Sequence, residues 1–80
     1  MFNRVISFNK YVGDKYKCEE ISEFDGDILV TVDTGETFKC SWWRFGDDPD
    51  GSLLMHGEFD GINSQLYVET IREIRGKALV

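Results

Sequence analysis

Apolar and polar residues alternate most regularly in the middle of the chain, on either side of residues 33–35. Residues 28–32 and residues 37–42 are both rich in β-branched or aromatic side chains, which favour β-strands. Asp33, Thr34 and Gly35 are turn residues, and Gly35 can take the left-handed conformation that closes a three-residue loop. The pattern therefore predicts a β-hairpin over residues 28–42.

The register of this hairpin follows from the length of its loop. Counting outward from the loop gives three facing pairs: Val30 with Phe38, Ile28 with Cys40, and Thr31 with Thr37. Apolar residues face apolar residues on one side of the pair, and the threonines face each other on the opposite side. Since a slip of one residue would expose the apolar face, we expect this register to be strongly preferred.

Three other segments have the composition of strands, namely residues 3–8, 15–21 and 52–59. Asp25-Gly26 is a strong turn dipeptide, so residues 15–21 should join the hairpin as a three-stranded meander. Residues 46–51 provide the turn that enters the last of these strands. The phrase Glu-Phe-Asp-Gly occurs twice, ending at Gly26 and at Gly61, and we interpret it as repeated turn chemistry.

The C-terminal segment from Ser64 onward fits either a helix or a strand. Tyr67, Ile71, Ile74 and Ala78 recur at helical spacing, and Gly76 could end a helix. Residues 66–71 are also good strand material. We favour the helix. The predicted fold is therefore mainly β, a small antiparallel five-stranded sheet or SH3-like barrel with one C-terminal helix.

Length and composition place the chain among small globular proteins. Its 80 residues are enough for one hydrophobic core, so we expect a single domain over residues 1–80. Fifteen acidic residues against nine basic ones give a net charge of -6. This charge disfavours direct binding to nucleic acid or to an anionic membrane, and it favours a basic macromolecule, above all a protein, as partner.

The cysteines and the N-terminal residues indicate a cytoplasmic protein. Two cysteines, Cys18 and Cys40, are too few for the disulfide framework of a small secreted domain, so we expect free thiols. Residues 1–8 lack the continuous apolar run of a signal peptide.

Residues that could carry catalysis or bind a metal do not form a known pattern. His56 is the only histidine, and only Glu58 lies near it in sequence as an orienting carboxylate. Cys40 falls on the apolar face of its strand, where a thiol stays protonated. The acidic turn at residues 47–51 does not fit the EF-hand spacing, so a solvated turn is favoured over weak calcium binding. We expect no catalytic residue, cofactor or metal, and hence no enzyme.

A cluster of carboxylates is the first candidate for binding. It comprises Glu19, Glu20, Glu23, Asp25 and Asp27 around one predicted turn. Alternate residues of a strand project from one face about 6.6 Å apart, so a sheet could present such carboxylates as an ordered array in place of nucleic-acid phosphates. The competing interpretation is ordinary solubilising charge at hairpin tips.

Trp43 and Arg44 are the second candidate. Continued alternation from Cys40 would place Trp43 outside and Arg44 inside, and burial of an unpaired Arg44 would cost several kcal/mol. Either a β-bulge resets the alternation and sends Trp43 or Phe45 inward, or Trp43 is displayed beside a cation as a contact residue. Both alternatives remain open from the sequence.

No family is recognised from these residues. In size, acidity and lack of a catalytic motif, the chain is similar to the small inhibitors that phages and mobile elements encode against host defence or nucleic-acid enzymes. We therefore expect a non-enzymatic acidic module that binds a basic, nucleic-acid-binding protein. One alternative is a small β-barrel that binds nucleic acid or a peptide through Trp43 and Tyr16, with Lys10, Lys15 and Lys17 as a basic patch. The other is a self-assembling structural subunit that pairs its edge strands.

Overall fold

The computed structural model describes residues 3–7 and 24–78, and these residues form one antiparallel sheet of six strands. The strands are β1 (Arg4–Ser7), β2 (Phe24–Val32), β3 (Thr37–Asp47), β4 (Leu53–Phe59), β5 (Ile62–Tyr67) and β6 (Ile71–Ala78). A single turn of 3-10 helix, Val68–Thr70, joins β5 to β6. The order across the sheet is β1-β6-β2-β3-β4-β5, so β2 to β5 follow one another as hairpins and β6 returns to lie between β1 and β2.

The predicted central hairpin is confirmed together with its register. Ile28 pairs with Cys40, Val30 with Phe38 and Thr31 with Thr37. Gly35 has a φ of 92° and donates its N–H to the Val32 carbonyl at 2.9 Å, which closes the loop. The strands predicted over residues 3–8 and 52–59 are also present, as β1 and β4. The strand predicted over residues 15–21 lies outside the described residues.

The predicted C-terminal helix is wrong, and the described residues alone form six strands where five were predicted for the chain. A β-bulge explains the misleading spacing. Val32 pairs with Ile71 and Thr31 with Glu73, which leaves Arg72 as an extra residue on β6. Ile71 and Ile74 can therefore both be fully buried although three positions separate them, and in a regular strand they would point to opposite faces.

Asp25-Gly26 forms an irregularity within β2, so the prediction of a turn at this dipeptide is also wrong. Asp25 pairs with Lys77 and Leu29 with Arg75, so the segment of β2 between these pairs is longer than the segment of β6 that faces it. Gly26 has a φ of 75°, a conformation that lets the strand bulge and continue. The second Glu-Phe-Asp-Gly phrase does form a turn, at Asp60 and Gly61 between β4 and β5.

The core covers one face of the sheet. Its buried residues are Ile6, Phe24, Ile28, Val30, Cys40, Met55, Phe59, Val68, Ile71 and Ile74. Every strand except β5 contributes to this group, and Val68 of the 3-10 turn joins it. Leu66 of β5 packs against its margin. In the part of the chain that the structure describes, no helix is long and apolar enough to cross a membrane.

Candidate binding surface

The carboxylates of the predicted acidic cluster are divided between described and undescribed parts of the chain. Glu19, Glu20 and Glu23 lie outside the described residues. Asp25 is 3.9 Å from the Lys77 ammonium, and Asp27 is 3.4 Å from the Lys39 ammonium. Both pairs are exposed, and each sets a lysine against the carboxylate, which reduces the negative charge that this part of the sheet presents.

A β-bulge in β3 decides the positions of Trp43 and Arg44. Cys40 pairs with Phe59 and Trp43 pairs with Gly57, so β3 has one more residue than β4 between these two pairs. Trp43 and Phe45 consequently both pack against the core. Of the two alternatives left open by the sequence, the bulge is the one present.

The residues next to Trp43 point away from the core. Arg44 is exposed and lies opposite His56, so its guanidinium remains solvated. Trp42, which simple alternation would have buried, is 44 % exposed. The role predicted for Trp43 and Arg44 in partner binding stays a prediction.

Many other carboxylates have no cationic side chain within 4 Å among the described residues. They are Glu36, Asp47, Asp48, Asp50, Glu58, Asp60 and Glu69. All of them except Glu36 lie within or beside the β4–β5 hairpin. Within residues 3–7 and 24–78, the negative charge that is not offset by nearby cations is therefore concentrated on this side of the sheet, at both ends of β5.

One group of carboxylates surrounds the hydroxyl of Tyr67 at the C-terminal end of β5. Tyr67 is 41 % exposed and donates a hydrogen bond from its hydroxyl to Oδ2 of Asp48 at 3.3 Å. The negative charge of Asp48, its hydrogen bond with the hydroxyl, and the charges of Asp50 and Glu69 raise the pKa of Tyr67. An ionised tyrosine would be repelled by these groups, so this end of the hairpin is a region of negative potential.

Backbone hydrogen bonds hold the β3–β4 turn and its carboxylates in place. Asp48 donates its N–H to the Ser52 carbonyl at 2.7 Å, and Asp50 Oδ1 accepts the Ser52 N–H at 2.9 Å. The hydrogen bonds from the Ser52 backbone and hydroxyl keep the pKa of Asp50 below its ordinary value. Asp50 therefore keeps its negative charge to a lower pH than an ordinary aspartate does.

A second acidic group lies at the other end of β5, around the β4–β5 turn. Asp60 has a φ of 51° and Gly61 a φ of 86°, as in the two-residue turns that suit β-hairpins. Asp60 Oδ1 accepts a hydrogen bond from the backbone N–H of Lys39 at 2.8 Å, which holds the carboxylate beside the turn. Glu58 accepts a hydrogen bond from the Ser41 hydroxyl at 3.0 Å.

An apolar cleft lies beside β5, between the two acidic groups, on the core side of the sheet. Its volume is about 250 Å³. It is lined by Phe38, Phe59, Asp60, Ile62, Ser64 and Leu66. The rings of Phe38 and Phe59 meet edge to face, with centroids 6.4 Å apart. Ile62 is 69 % exposed. Its side chain therefore extends the apolar surface of the cleft toward the edge of the sheet at β5.

The residues considered for catalysis lie within neighbouring strands, Cys40 in β3 and His56 in β4. Cys40 is a free, fully buried cysteine. Its thiol donates a hydrogen bond to the Trp42 carbonyl at 3.0 Å, and burial raises its pKa to about 11. His56 is partly buried and lies between Arg44 and Gln65 in the sheet. Over residues 3–7 and 24–78, no group of three or more metal-ligating side chains comes together.

The sequence pattern does not predict β5 or the surface around it, because residues 64–67 fall in the predicted helix. A local signal was present. Asp60-Gly61 is a favoured dipeptide of two-residue hairpin turns, and the six residues after it carry no charge. A hairpin partner for β4 could have been inferred from that dipeptide.

The comparisons with known proteins do not assign the chain to a family. No family model matches it, and no curated protein or solved structure gives a significant match.

Proposed function

We propose that this domain is a non-enzymatic acidic module that binds a basic protein, with a nucleic-acid-binding protein as the favoured class of partner. One observation carries the proposal: among the described residues, all the carboxylates without a cationic neighbour except Glu36 gather around the β4–β5 hairpin. Solubilising charge would be expected to spread over the whole surface. Clustered charge instead steers an oppositely charged partner toward one side of the molecule.

Hydrogen bonding around the carboxylates supports the proposal. Asp48, Asp50 and Asp60 each engage a neighbouring hydroxyl or N–H through one carboxylate oxygen. Their positions are therefore set before a partner arrives, which reduces the entropy lost on binding. A protein with a cationic groove for nucleic acid would meet these carboxylates where it otherwise meets phosphates.

Two triple variants with the same net charge test this function. In the first, Asp48, Asp50 and Asp60 are replaced by asparagine, which retains an oxygen for each hydrogen bond and removes the charge. In the second, Glu19, Glu20 and Glu23 are replaced by glutamine. Wild-type and both variant proteins serve as baits for affinity capture from a lysate of the native organism, followed by mass spectrometry and stopped-flow kinetics on the recovered protein.

We expect the wild-type domain to recover a basic protein whose association slows as salt is added, since attraction between exposed charges is screened over about 8–10 Å at physiological salt. The asparagine variant should associate about tenfold more slowly or worse. Loss of binding in the glutamine variant alone would show that the partner binds the cluster around Glu19 and not the β4–β5 hairpin. Recovery of acidic partners only, or equal kinetics for all three proteins, would refute the acidic-module function.

A further inference from the structure

The backbone of β5 is open on one side within the described part of the chain. β5 is the last strand of the sheet and pairs only with β4. The turn before it has two residues, so Ile62 and Phe59 form a hydrogen-bonded pair and the pattern alternates from there. The N–H and C=O groups of Asn63 and Gln65 and the N–H of Tyr67 consequently point away from β4, where another strand could pair with them. The Tyr67 carbonyl is excluded, because it accepts a hydrogen bond from the Thr70 hydroxyl at 2.7 Å.

The side chains of β5 do not protect this edge. Natural edge strands are commonly blocked by charged residues, proline or a bulge. β5 has the sequence INSQLY, which contains neither charge nor proline, and its pairing with β4 runs without a register shift. A regular, uncharged edge of this kind can accept an added strand.

The apolar cleft gives an added strand a place for a side chain. Ile62, Ser64 and Leu66 line one wall of the cleft, and Phe59 lies on the same face because it pairs directly with Ile62. A strand lying alongside β5 sends alternate side chains toward this face. One of them can fill the cleft against Phe38 and Phe59, which adds buried apolar area to the backbone hydrogen bonds.

The charges at both ends of β5 determine which kind of strand fits. Asp60 lies before the strand, and Asp48, Asp50 and Glu69 surround its last residue. The six residues of β5 span about 20 Å, so an added strand of similar length has both ends close to carboxylates. Lysine or arginine at the ends of the added strand would be attracted to these carboxylates whether the strand lay parallel or antiparallel to β5.

The same charges oppose pairing of β5 with a second copy of itself. An antiparallel pair of β5 strands would bring Asp60 of one copy toward Asp48 and Asp50 of the other. A parallel pair would bring each acidic end against its equivalent. Lys39, which lies beside Asp60, has its ammonium paired with Asp27. Like charges therefore meet in both arrangements.

We infer that β5 is the docking edge of this domain, and that its occupant is an extended segment of the partner protein with basic residues at both ends. The segment adds to the sheet as a seventh strand beyond β5 and places an apolar side chain in the cleft beside Phe38 and Phe59. This inference rests on the proposed function, which it deepens by naming the interface and the form of the partner.

A synthetic peptide tests the inference directly. The probe has about ten residues, enough to span β5, with valine and threonine alternating between a pair of lysines at each end. We expect titration into the ¹⁵N-labelled domain to shift the amide signals of Asn63, Gln65 and Tyr67 and to slow their hydrogen exchange. A peptide with glutamates in place of the lysines is the charge control, and we expect it to bind about tenfold more weakly or not at all.

Two variants separate backbone pairing from side-chain contact. Gln65→Pro removes an outward N–H without removing a bond to β4, and Gln65→Thr retains that N–H. We expect Gln65→Pro to bind the lysine peptide about tenfold more weakly and Gln65→Thr to bind it normally. Should Gln65→Pro fail to fold, N-methylated versions of the lysine peptide give the same information. Only every second N–H of an added strand faces β5. N-methylation of that set of residues should abolish binding, and N-methylation of the other set should not.

The outcomes distinguish this inference from the proposed function. If shifts map to residues around Asp25 and Asp27, or if neither Gln65→Pro nor any N-methylation changes affinity, docking at β5 is wrong. The acidic module would still stand if capture depends on Asp48, Asp50 and Asp60. Sedimentation should show a monomer, and a dimer that Gln65→Pro disrupts would identify a second copy as the occupant and overturn the inference.

Discussion

Gly76 on β6 lies directly against the ring of Phe24 on β2, and this contact leaves no room for a side chain at position 76. A Cβ atom at Gly76 would overlap Cγ and Cδ1 of Phe24 and would crowd Cγ2 of Ile28. Phe24 is only 6 % exposed, and the Arg4 guanidinium lies 5.7 Å from the centre of its ring. Because the ring is buried among these neighbours, it has little freedom to move away.

We predict that Gly76→Ala lowers the free energy of unfolding by about 1–3 kcal/mol, the usual cost of overpacking a core. Gly46→Ala is the matched control, because a Cβ there would be 3.8 Å or more from its nearest non-neighbouring atoms, and we expect a change of less than about 1 kcal/mol. Urea denaturation of both variants provides the measurement. Equal stability of the two would contradict the described contact at Phe24.

The bulge in β3 predicts different roles for the two tryptophans. Trp43 packs against the core and Trp42 is 44 % exposed. We expect Trp43→Ala to lower the free energy of unfolding by about 2–4 kcal/mol, somewhat less than for a fully buried tryptophan, and Trp42→Ala to lower it by less than about 1 kcal/mol. Chemical denaturation checks both values, and the reverse order would show that the strand alternates without the bulge.

Burial should make the Cys40 thiol unreactive. Since its pKa is raised to about 11, roughly one thiol in a thousand is ionised at about pH 8, and only the thiolate reacts rapidly. In a Cys18→Ser variant, we expect Cys40 to react with Ellman's reagent only as fast as the domain unfolds. Reaction at the rate of a free thiol in the folded protein would show that Cys40 is accessible.

The acidic surroundings of Tyr67 should be visible in its titration. We expect the pKa of Tyr67 to lie above its ordinary value because of the Asp48, Asp50 and Glu69 charges, and to fall when Asp48 and Asp50 are both replaced by asparagine. Ultraviolet absorbance titration, with a Tyr67→Phe variant subtracted, isolates this residue from Tyr11 and Tyr16. A Tyr67 pKa that the double substitution leaves unchanged would show that the Asp48 and Asp50 carboxylates do not lie near the Tyr67 hydroxyl.

The same shift has a consequence for stability at high pH. Because the pKa of Tyr67 is raised in the folded state, the folded domain holds this proton more tightly than the unfolded chain does. Its contribution to stability is complete below the unfolded pKa and is lost as the pH rises through the folded pKa. As the pH rises from the unfolded pKa of tyrosine through the folded pKa of Tyr67, we expect the free energy of unfolding to fall less in Tyr67→Phe than in the wild-type protein. Urea denaturation at several pH values in this range provides the measurement.

The sequence by itself determined the features that depend on neighbouring residues. Alternation on both sides of Gly35 predicted the β2–β3 hairpin and its register, because strand period and turn geometry act within about fifteen residues. The sequence also predicted the mainly β class and the apolar position of Cys40. It identified the bulge after Cys40 as an alternative, since alternation without it would have buried Arg44.

Only the tertiary structure decided the features that depend on pairing between distant segments. Ile71 and Ile74 have helical spacing, but β2 and β1 flank β6 on both sides, and a bulge at Arg72 brings both isoleucines to the core. Asp25-Gly26 has the chemistry of a turn, but pairing of Phe24 with Ala78 keeps the chain in the sheet. Sheet order likewise placed β5 at an edge and brought Asp48 to Tyr67. Local propensity differs by only about 1 kcal/mol between such alternatives, which is less than the hydrogen bonds and buried area of a paired strand contribute.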